Sequence, residues 1–251
     1  MPKLCQAASL SDILRLVSVL KFRIGAGISE TGKVISYCEP FMPHTFDAVL
    51  FDLFSALLDS WSFWDRIARS PESGRRWRLR YLELSYRVGP YLSFESLVAK
   101  AAGDVGLAES LAEELVAEWD QLDPWPEASE VLSSLAGYRL GVVTNCSEGL
   151  AQRATQRVGA PFSVMVSAER AGAYKPDPRP YRLALSELEL QPERVLYVAG
   201  SPYDIIGASD VGLTVFWHNR LGLVSDSDSR TAKTADDLYQ LGQWLRSGEG
   251  R

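Results

Sequence analysis

The sequence predicts an α/β protein, a doubly wound parallel sheet with an α-helical segment inserted into it. Three observations carry this. A short continuous apolar run, Ala48 to Phe51, ends in Asp52, as buried strands of parallel sheets do. Residues 60–122 repeat apolar side chains at helical spacing and carry no strand pattern. Beyond Glu127, helices and strands alternate at a spacing that suits right-handed crossovers.

Taken in order, Asp47 to Asp52 is the first strand of the sheet. Ser60 to Arg69 places Trp61, Phe63, Trp64 and Ile67 at helical spacing, and Pro71-Glu-Ser-Gly74 reads as a break. Arg75 to Val88 is a helix with Trp77, Tyr81, Leu84 and Val88 on one stripe. Ser93 to Ala102 and Leu107 to Leu122 are two more, separated by Gly103 and Gly106, and Asp123-Pro-Trp-Pro126 closes the run. Helices over Glu127–Leu135, Glu148–Val158, Pro178–Leu188 and Ile205–Val211 then alternate with strands over Tyr138–Thr144, Phe162–Val166, Val195–Ala199 and Thr214–Trp217. A polar linker, Ser225 to Ser229, precedes an amphipathic helix, Asp236 to Leu245. The expected division is an N-terminal extension over 1–45, an α/β core over 46–59 and 123–222, a helical insertion over 60–122, and a linker and helix over 223–251.

Composition narrows the function. The 251 residues suit one domain with a sizeable insertion, or two small ones. With 46% hydrophobic and 23% charged residues the chain has the balance of a soluble globular protein. The formal charge is -6 and no basic tract stands out, which gives a nucleic-acid partner no support. No apolar run is long enough to span a membrane. Cys5, Cys38 and Cys146 are an odd number without metal-type pairing, which points to a reduced compartment. With His44 and His218 alone, a histidine metal site is not expected. Residues 1–45 read as a disordered leader, with Leu10 to Phe22 able to form an amphipathic helix; a transit peptide is the alternative. The expected location is cytoplasmic unless that segment targets an organelle.

Chemistry gathers at the strand ends. Asp52 follows the first strand, and Thr144 and Asn145 end the second. Lys175 lies in a loop broken by Gly172, Pro176 and Pro178, and Ser201 and Asp204 follow Val195–Ala199. Each of these alone is an ordinary cap or turn residue. In a doubly wound sheet, though, strand ends converge on one crevice. Two carboxylates, an ammonium, hydroxyls and an amide therefore meet there. Cys146 reads as a small buried hydrophobe, with no histidine placed to activate it.

These motifs resemble the haloacid dehalogenase superfamily of hydrolases over about residues 46–222. The family has an Asp nucleophile after the first strand, a Ser or Thr after the second, a Lys in a later loop and acidic residues after the fourth. Here they fall on Asp52, Thr144, Lys175 and Asp204. The resemblance implies a Rossmann-like core with a helical cap. Departures select the branch. The Mg-dependent phosphatases carry a second Asp two residues after the nucleophile, where this chain has Phe54, and another Asp where it has Ala199. An aromatic at the first of these positions resembles the L-2-haloacid dehalogenases, which use no metal. Trp77-Arg78 resembles their cap motif and gives Arg78 the departing halide. Tyr181, six residues after Lys175, and the pair Tyr203-Asp204 also match. Against this group, the Thr four after the nucleophile is Ala56, the Gly before it is Ser55, and the Ser and Asn that position water fall on Ala199 and Ser201.

The resemblance implies that Asp52 attacks carbon, forming an ester that water hydrolyses, with Lys175 and Asp204 assisting and Thr144 and Asn145 binding the carboxylate of a small carboxylic acid substrate. Phe54, Trp61, Tyr181 and Tyr203 are expected to form a dry wall, with Ser201 also against the substrate. No cofactor is expected. Mg belongs only to the phosphatase alternative, and a non-catalytic binding protein of the same fold is a further alternative. Relatives of this kind suggest a homodimer through the cap.

Overall fold

The computed structural model describes residues 22–28, 34–40 and 46–248. The chain falls into two units, Met1–His44 and Thr45–Arg251. In the first, strands β1 (Phe22–Ile28) and β2 (Val34–Pro40) pair antiparallel, Phe22 opposite Pro40 and Ile28 opposite Val34. A disordered leader carries no strand, yet Ile24, Ile28, Val34, Ile35 and Tyr37 are residue types that favour strands. The helix expected over Leu10 to Phe22 lies outside the described residues except at Phe22, which opens β1.

The second unit is built on a six-stranded parallel sheet of order β5-β4-β3-β6-β7-β8. Its strands are β3 (Ala48–Phe51), β4 (Arg139–Thr144), β5 (Val164–Ser167), β6 (Val195–Ala199), β7 (Thr214–His218) and β8 (Lys233–Ala235). β3 lies at the centre, between β4 and β6. The chain winds outward through β4 and β5 on one side, then crosses back to β6, β7 and β8 on the other. The crevice of such a sheet opens at the carboxyl end of the central strand, which is where Asp52 follows Phe51. Successive residues face opposite layers, as strand geometry requires. Val49, Phe51, Leu196 and Val198 join one buried core, while Ala48, Leu50, Tyr197 and Ala199 join the other. Both faces are covered, which is why these strands read as unbroken apolar runs.

The segment between β3 and β4 is helical, as its spacing predicts, with helices Ser60–Ile67, Pro71–Arg87, Phe94–Asp104 and Ser110–Ala117 and a short turn Trp119–Gln121. The break expected at Pro71–Gly74 is instead a helix start. Pro71 stands at the first helical position, where its missing N–H costs nothing, and Ser70 caps the turn by accepting from the Ser73 N–H at 3.2 Å. Gly74 permits close packing, because a Cβ there would lie 2.4 Å from Asp65 Cα. The insertion has its own aromatic centre, with Trp64 against Trp77 at 4.7 Å and against Tyr81 at 5.5 Å. Its two connections to the sheet run side by side: Asp59 N–H donates to Asp123 O and Trp125 N–H to Leu57 O, at 2.8 and 2.9 Å.

The remaining elements match the sequence reading closely, with helices Ala128–Ser134, Glu148–Val158, Pro178–Leu188, Pro202–Asp210 and Tyr239–Ser247. Four short elements are not predicted by the sequence pattern: the single turn Ala168–Ala171, the turns Pro192–Arg194 and Asp228–Arg230, and the edge strand β8. Among the described residues, no helix is long and apolar enough to cross a membrane.

Candidate active site

Asp52 leaves β3 with its backbone still tied to the sheet, its N–H donating to Val198 O at 2.9 Å. The chain then turns tightly, and the Ser55 N–H donates back to Asp52 Oδ2 at 2.9 Å. Asp52 caps no helix; Asp59 does that work for Ser60–Ile67. Two neighbours set this turn. His218 Nδ1 lies 2.9 Å from Ala56 O, and Trp125 Nε1 donates to Ser55 O at 3.0 Å. Gly200 lies against the turn on β6's side. A Cβ there would sit 2.5 Å from Asp52 Oδ2 and 2.6 Å from Ala56 N, so any larger residue must push the turn away.

Lys175 is the centre of the charged cluster. Its Nζ lies 2.8 Å from Asp52 Oδ1 and 2.8 Å from Asp204 Oδ1, and donates to Tyr197 Oη at 2.9 Å. All three charged groups are buried, with 2% of Lys175, 6% of Asp52 and 3% of Asp204 exposed. Burying a charge is costly and pairing offsets the cost, and this trio carries a net charge of one electron. The Lys175 backbone is clamped by Asn145, whose Oδ1 accepts from Lys175 N–H at 2.7 Å and whose Nδ2 donates to Lys175 O at 3.1 Å. Asp204 closes a capping box on Pro202–Asp210. Its Oδ2 accepts from Ser201 Oγ at 2.8 Å and from Ser201 N–H at 3.1 Å. The carboxylate thus lies at a helix N-terminus, where negative charge is favoured.

The two carboxyls are pushed apart. Burial raises both, but at Asp52 the Lys175 ammonium, the Ser55 N–H and the Arg78 charge outweigh it and hold the carboxyl below its ordinary value. At Asp204 burial wins over the pull of Lys175, the Asp52 charge adds to it, and the carboxyl lies above its ordinary value. Burial would lower the Lys175 ammonium, but the two carboxylates raise it.

Arg78 reaches the site from the helix Pro71–Arg87. It is 5% exposed, yet touches no carboxylate. Nη2 donates to Ser55 Oγ at 3.0 Å and Nη1 to Ser60 Oγ, while the guanidinium stacks over Trp61 at 4.1 Å. Burial pulls it down to about 10, against the attraction of Asp52. A buried cation held by neutral groups is a ready receiver for an anion.

A cavity of about 50 Å³ joins these groups. A water needs about 10–15 Å³, so the space holds roughly three to five of them. Asp52, Lys175, Asp204, Arg78, Phe54, Asn145, Ser201 and Trp61 line it, as expected from the sequence. Three expected residues do not. Thr144 is fully buried at the end of β4, its Oγ1 3.9 Å from Cys146 Sγ, and the chain turns so that Asn145 faces the cavity instead. Tyr181 lies in the core beneath β6, edge-on to Tyr197 at 5.2 Å and packed against Gly207, where a Cβ would come within 2.7 Å of its ring. Tyr203 is 45% exposed and packs at a tilt against Tyr86, ring centroids 3.8 Å apart, and Tyr86 is the ring that faces the cavity. The apolar wall is completed from the insertion by residues the sequence did not single out for the site, among them Trp64, Tyr81, Phe94 and Trp119. Ser55, noted in the sequence as a departure beside the nucleophile, holds Arg78 together with Ser60; neither Ser60 nor Tyr197 is singled out by the sequence. Tyr197 had a signal, since a phenol within a buried strand needs a partner for its hydroxyl.

The family model that matches residues 46–212 is that of the haloacid dehalogenase-like hydrolases. The chain belongs to this family. It is 30% identical over 203 residues to haloacetate dehalogenase H-2 of Moraxella sp. (strain B), covering 74% of this chain and 91% of that one. It is 29% identical over 218 residues to (S)-2-haloacid dehalogenase H-109 of Pseudomonas putida, covering 79% and 97%. Among solved structures it resembles an L-2-haloacid dehalogenase with a TM-score of 0.68 at 27% identity, over 80% of this chain and 99% of that one.

The phosphatase members implied by the alternative reading bind Mg²⁺, which takes oxygen ligands in octahedral array. The residues of this hydrolase do not fit that ion. Phe54 and Ala199 stand at two places where the sequence comparison expects carboxylates, and Asp52 and Asp204 both hold Lys175. Among the described residues no three His, Cys, Asp or Glu side chains gather as a metal site.

Proposed function

We propose that this chain is a 2-haloacid dehalogenase that needs no metal and acts on short-chain haloacids through an ester on Asp52. The observation that carries the reading is the shared cavity. A carboxylate held ionised by Lys175 opens onto the same small space as Arg78, a buried cation with no carboxylate in contact. Relatives named for haloacetate and (S)-2-haloacid support it.

An Asp52 oxygen attacks the carbon that carries the halogen, the carbon–halogen bond breaks, and the halide leaves with the bonding pair towards Arg78. Asn145 and Ser55 present polar groups for the acid's carboxylate. Water then adds to the carboxyl carbon of the Asp52 ester, and the hydroxy acid departs. Asp204 is the remaining acid among the cavity-lining residues; it takes the water's proton and returns it to the departing alkoxide oxygen, which leaves as the hydroxyl of the hydroxy acid. Lys175 offsets the negative charge that develops as the ester opens. The cap, residues 60–122, supplies Arg78 and most of the aromatic wall, which keeps other water out and strengthens these electrostatic effects.

Halide release from chloroacetate and 2-chloropropionate, with and without EDTA, tests the reading. Release that EDTA leaves unchanged and Asp52→Asn abolishes supports it. Phosphate release from a generic ester, stopped by EDTA, would overturn it.

A further inference from the structure

We propose that Tyr197 is a positioning residue for catalysis, holding the Lys175 ammonium and the Asp204 carboxylate in register with the nucleophile. This deepens the proposed function and rests on it.

The case starts from donor counting. A lysine ammonium has three N–H donors, and Lys175 uses them on three acceptors: Asp52 Oδ1 at 2.8 Å, Asp204 Oδ1 at 2.8 Å and Tyr197 Oη at 2.9 Å. The Tyr197 hydroxyl in turn donates to Asp204 Oδ1 at 3.3 Å. It closes a ring in which each group has one direction available. Tyr197 itself is fully buried in the middle of β6, so its position is fixed by the sheet. It shares a layer with Ala199 two residues on, a place where a hydroxyl was expected and a methyl stands. Ala199 offers no hydrogen bond, and Tyr197 brings a phenol oxygen to the same cluster from one pleat deeper.

The consequence concerns the second half of the reaction. When Asp52 becomes an ester its charge is gone, and Lys175 has lost one of two anionic partners. An unheld ammonium would then swing fully onto Asp204 and oppose the transfer of a proton from water to that carboxylate. The Tyr197 oxygen gives the ammonium a neutral partner that does not change during turnover, and the Tyr197 O–H keeps Asp204 ionised.

The test is Tyr197→Phe, which removes one oxygen and keeps the ring. We expect kcat for halide release to fall about 10-fold, the size of one hydrogen bond to a charged group, with KM within about 2-fold of the parent. The acid limb of kcat should move to higher pH, because Asp204 loses a donor to its charged form. The same shift should appear without turnover in the ¹³C NMR titration of the Asp204 carboxyl, assigned by its absence in Asp204→Asn. A kcat and an Asp204 titration both unchanged would overturn the proposal, as would a loss of kcat with the titration unmoved, which marks general damage. If the parent protein releases no halide, the functional reading fails, while the NMR arm still decides whether Tyr197 holds Asp204.

Discussion

Gly200→Ala isolates the claim that the position of Asp52 limits the reaction. The added methyl carbon would lie 2.5 Å from Asp52 Oδ2, 2.6 Å from Ala56 N and 2.6 Å from Ser55 Cβ. Comfortable contacts are about 3.5 Å, so the nucleophile and its turn must part from β6 by about 1 Å. They have little freedom to do so, because Ala56 O is held by His218 and Ser55 O by Trp125. Overpacking of this kind costs about 1–3 kcal/mol, or roughly 2–12 °C in unfolding temperature at this chain length, so the protein stays folded at 25 °C. A displacement of about 1 Å at the reacting atom costs about 10²-fold in rate. Steady-state halide release and a thermal melt measure both. A folded Gly200→Ala protein with parental kcat would refute the reasoning, since the attack geometry would then tolerate the shift.

Other outcomes follow from the charges. Lys175→Met leaves Asp52 and Asp204 buried with no shared cation; activity should vanish and stability at pH 7 fall by about 3–5 kcal/mol, measured by urea unfolding. The pH dependence contributed by Asp52 should also reverse. In the parent, Asp52 is depressed in the folded state, so its contribution is full above the unfolded value of 3.8 and is lost as pH falls through the lower folded value. In Lys175→Met the carboxyls are raised, and stability should improve as pH falls from 8 to 5. The acid limb of kcat should lie above 3.8, set by the raised Asp204 rather than by Asp52; a limb below that value contradicts the assignment. Arg78→Met should lower kcat by about 10²–10³-fold with little loss of unfolding temperature, because Arg78 touches serines and a ring rather than a carboxylate, and apolar replacements of buried charges are often neutral.

Most of the frame could be read from residues alone because the physics there is local. β3 is an unbroken apolar run because both of its faces are covered, and Asp52 stands out as the polar residue that ends it. Asp204 carried two readings, a helix cap and a functional acid; its Oδ2 closes the capping box, and its Oδ1 is placed on Lys175 in the cluster around Asp52. What escaped depends on direction. Thr144 and Asn145 are adjacent, and only the turn of the chain after β4 decides which one faces the cavity. Tyr203 and Tyr86 lie 117 positions apart and exchange places because their rings pack together, which no spacing reveals. Pro71 and Gly74 looked like a break because proline and glycine stop helices in mid-course, yet at a first turn proline fits, and here glycine admits Asp65. β8 is three residues of mixed polarity at the sheet edge and offers no apolar run to read.

The ester on Asp52 is the centre of this account, and a single turnover in H₂¹⁸O with enzyme in excess over 2-chloropropionate tests it most directly. If water attacks the carboxyl carbon of the ester, one heavy oxygen enters the peptide that contains Asp52, and the lactate formed in that turnover carries none. Heavy oxygen found in the lactate, with the Asp52 peptide unlabelled, would mean that water displaces the halide itself and would contradict the mechanism.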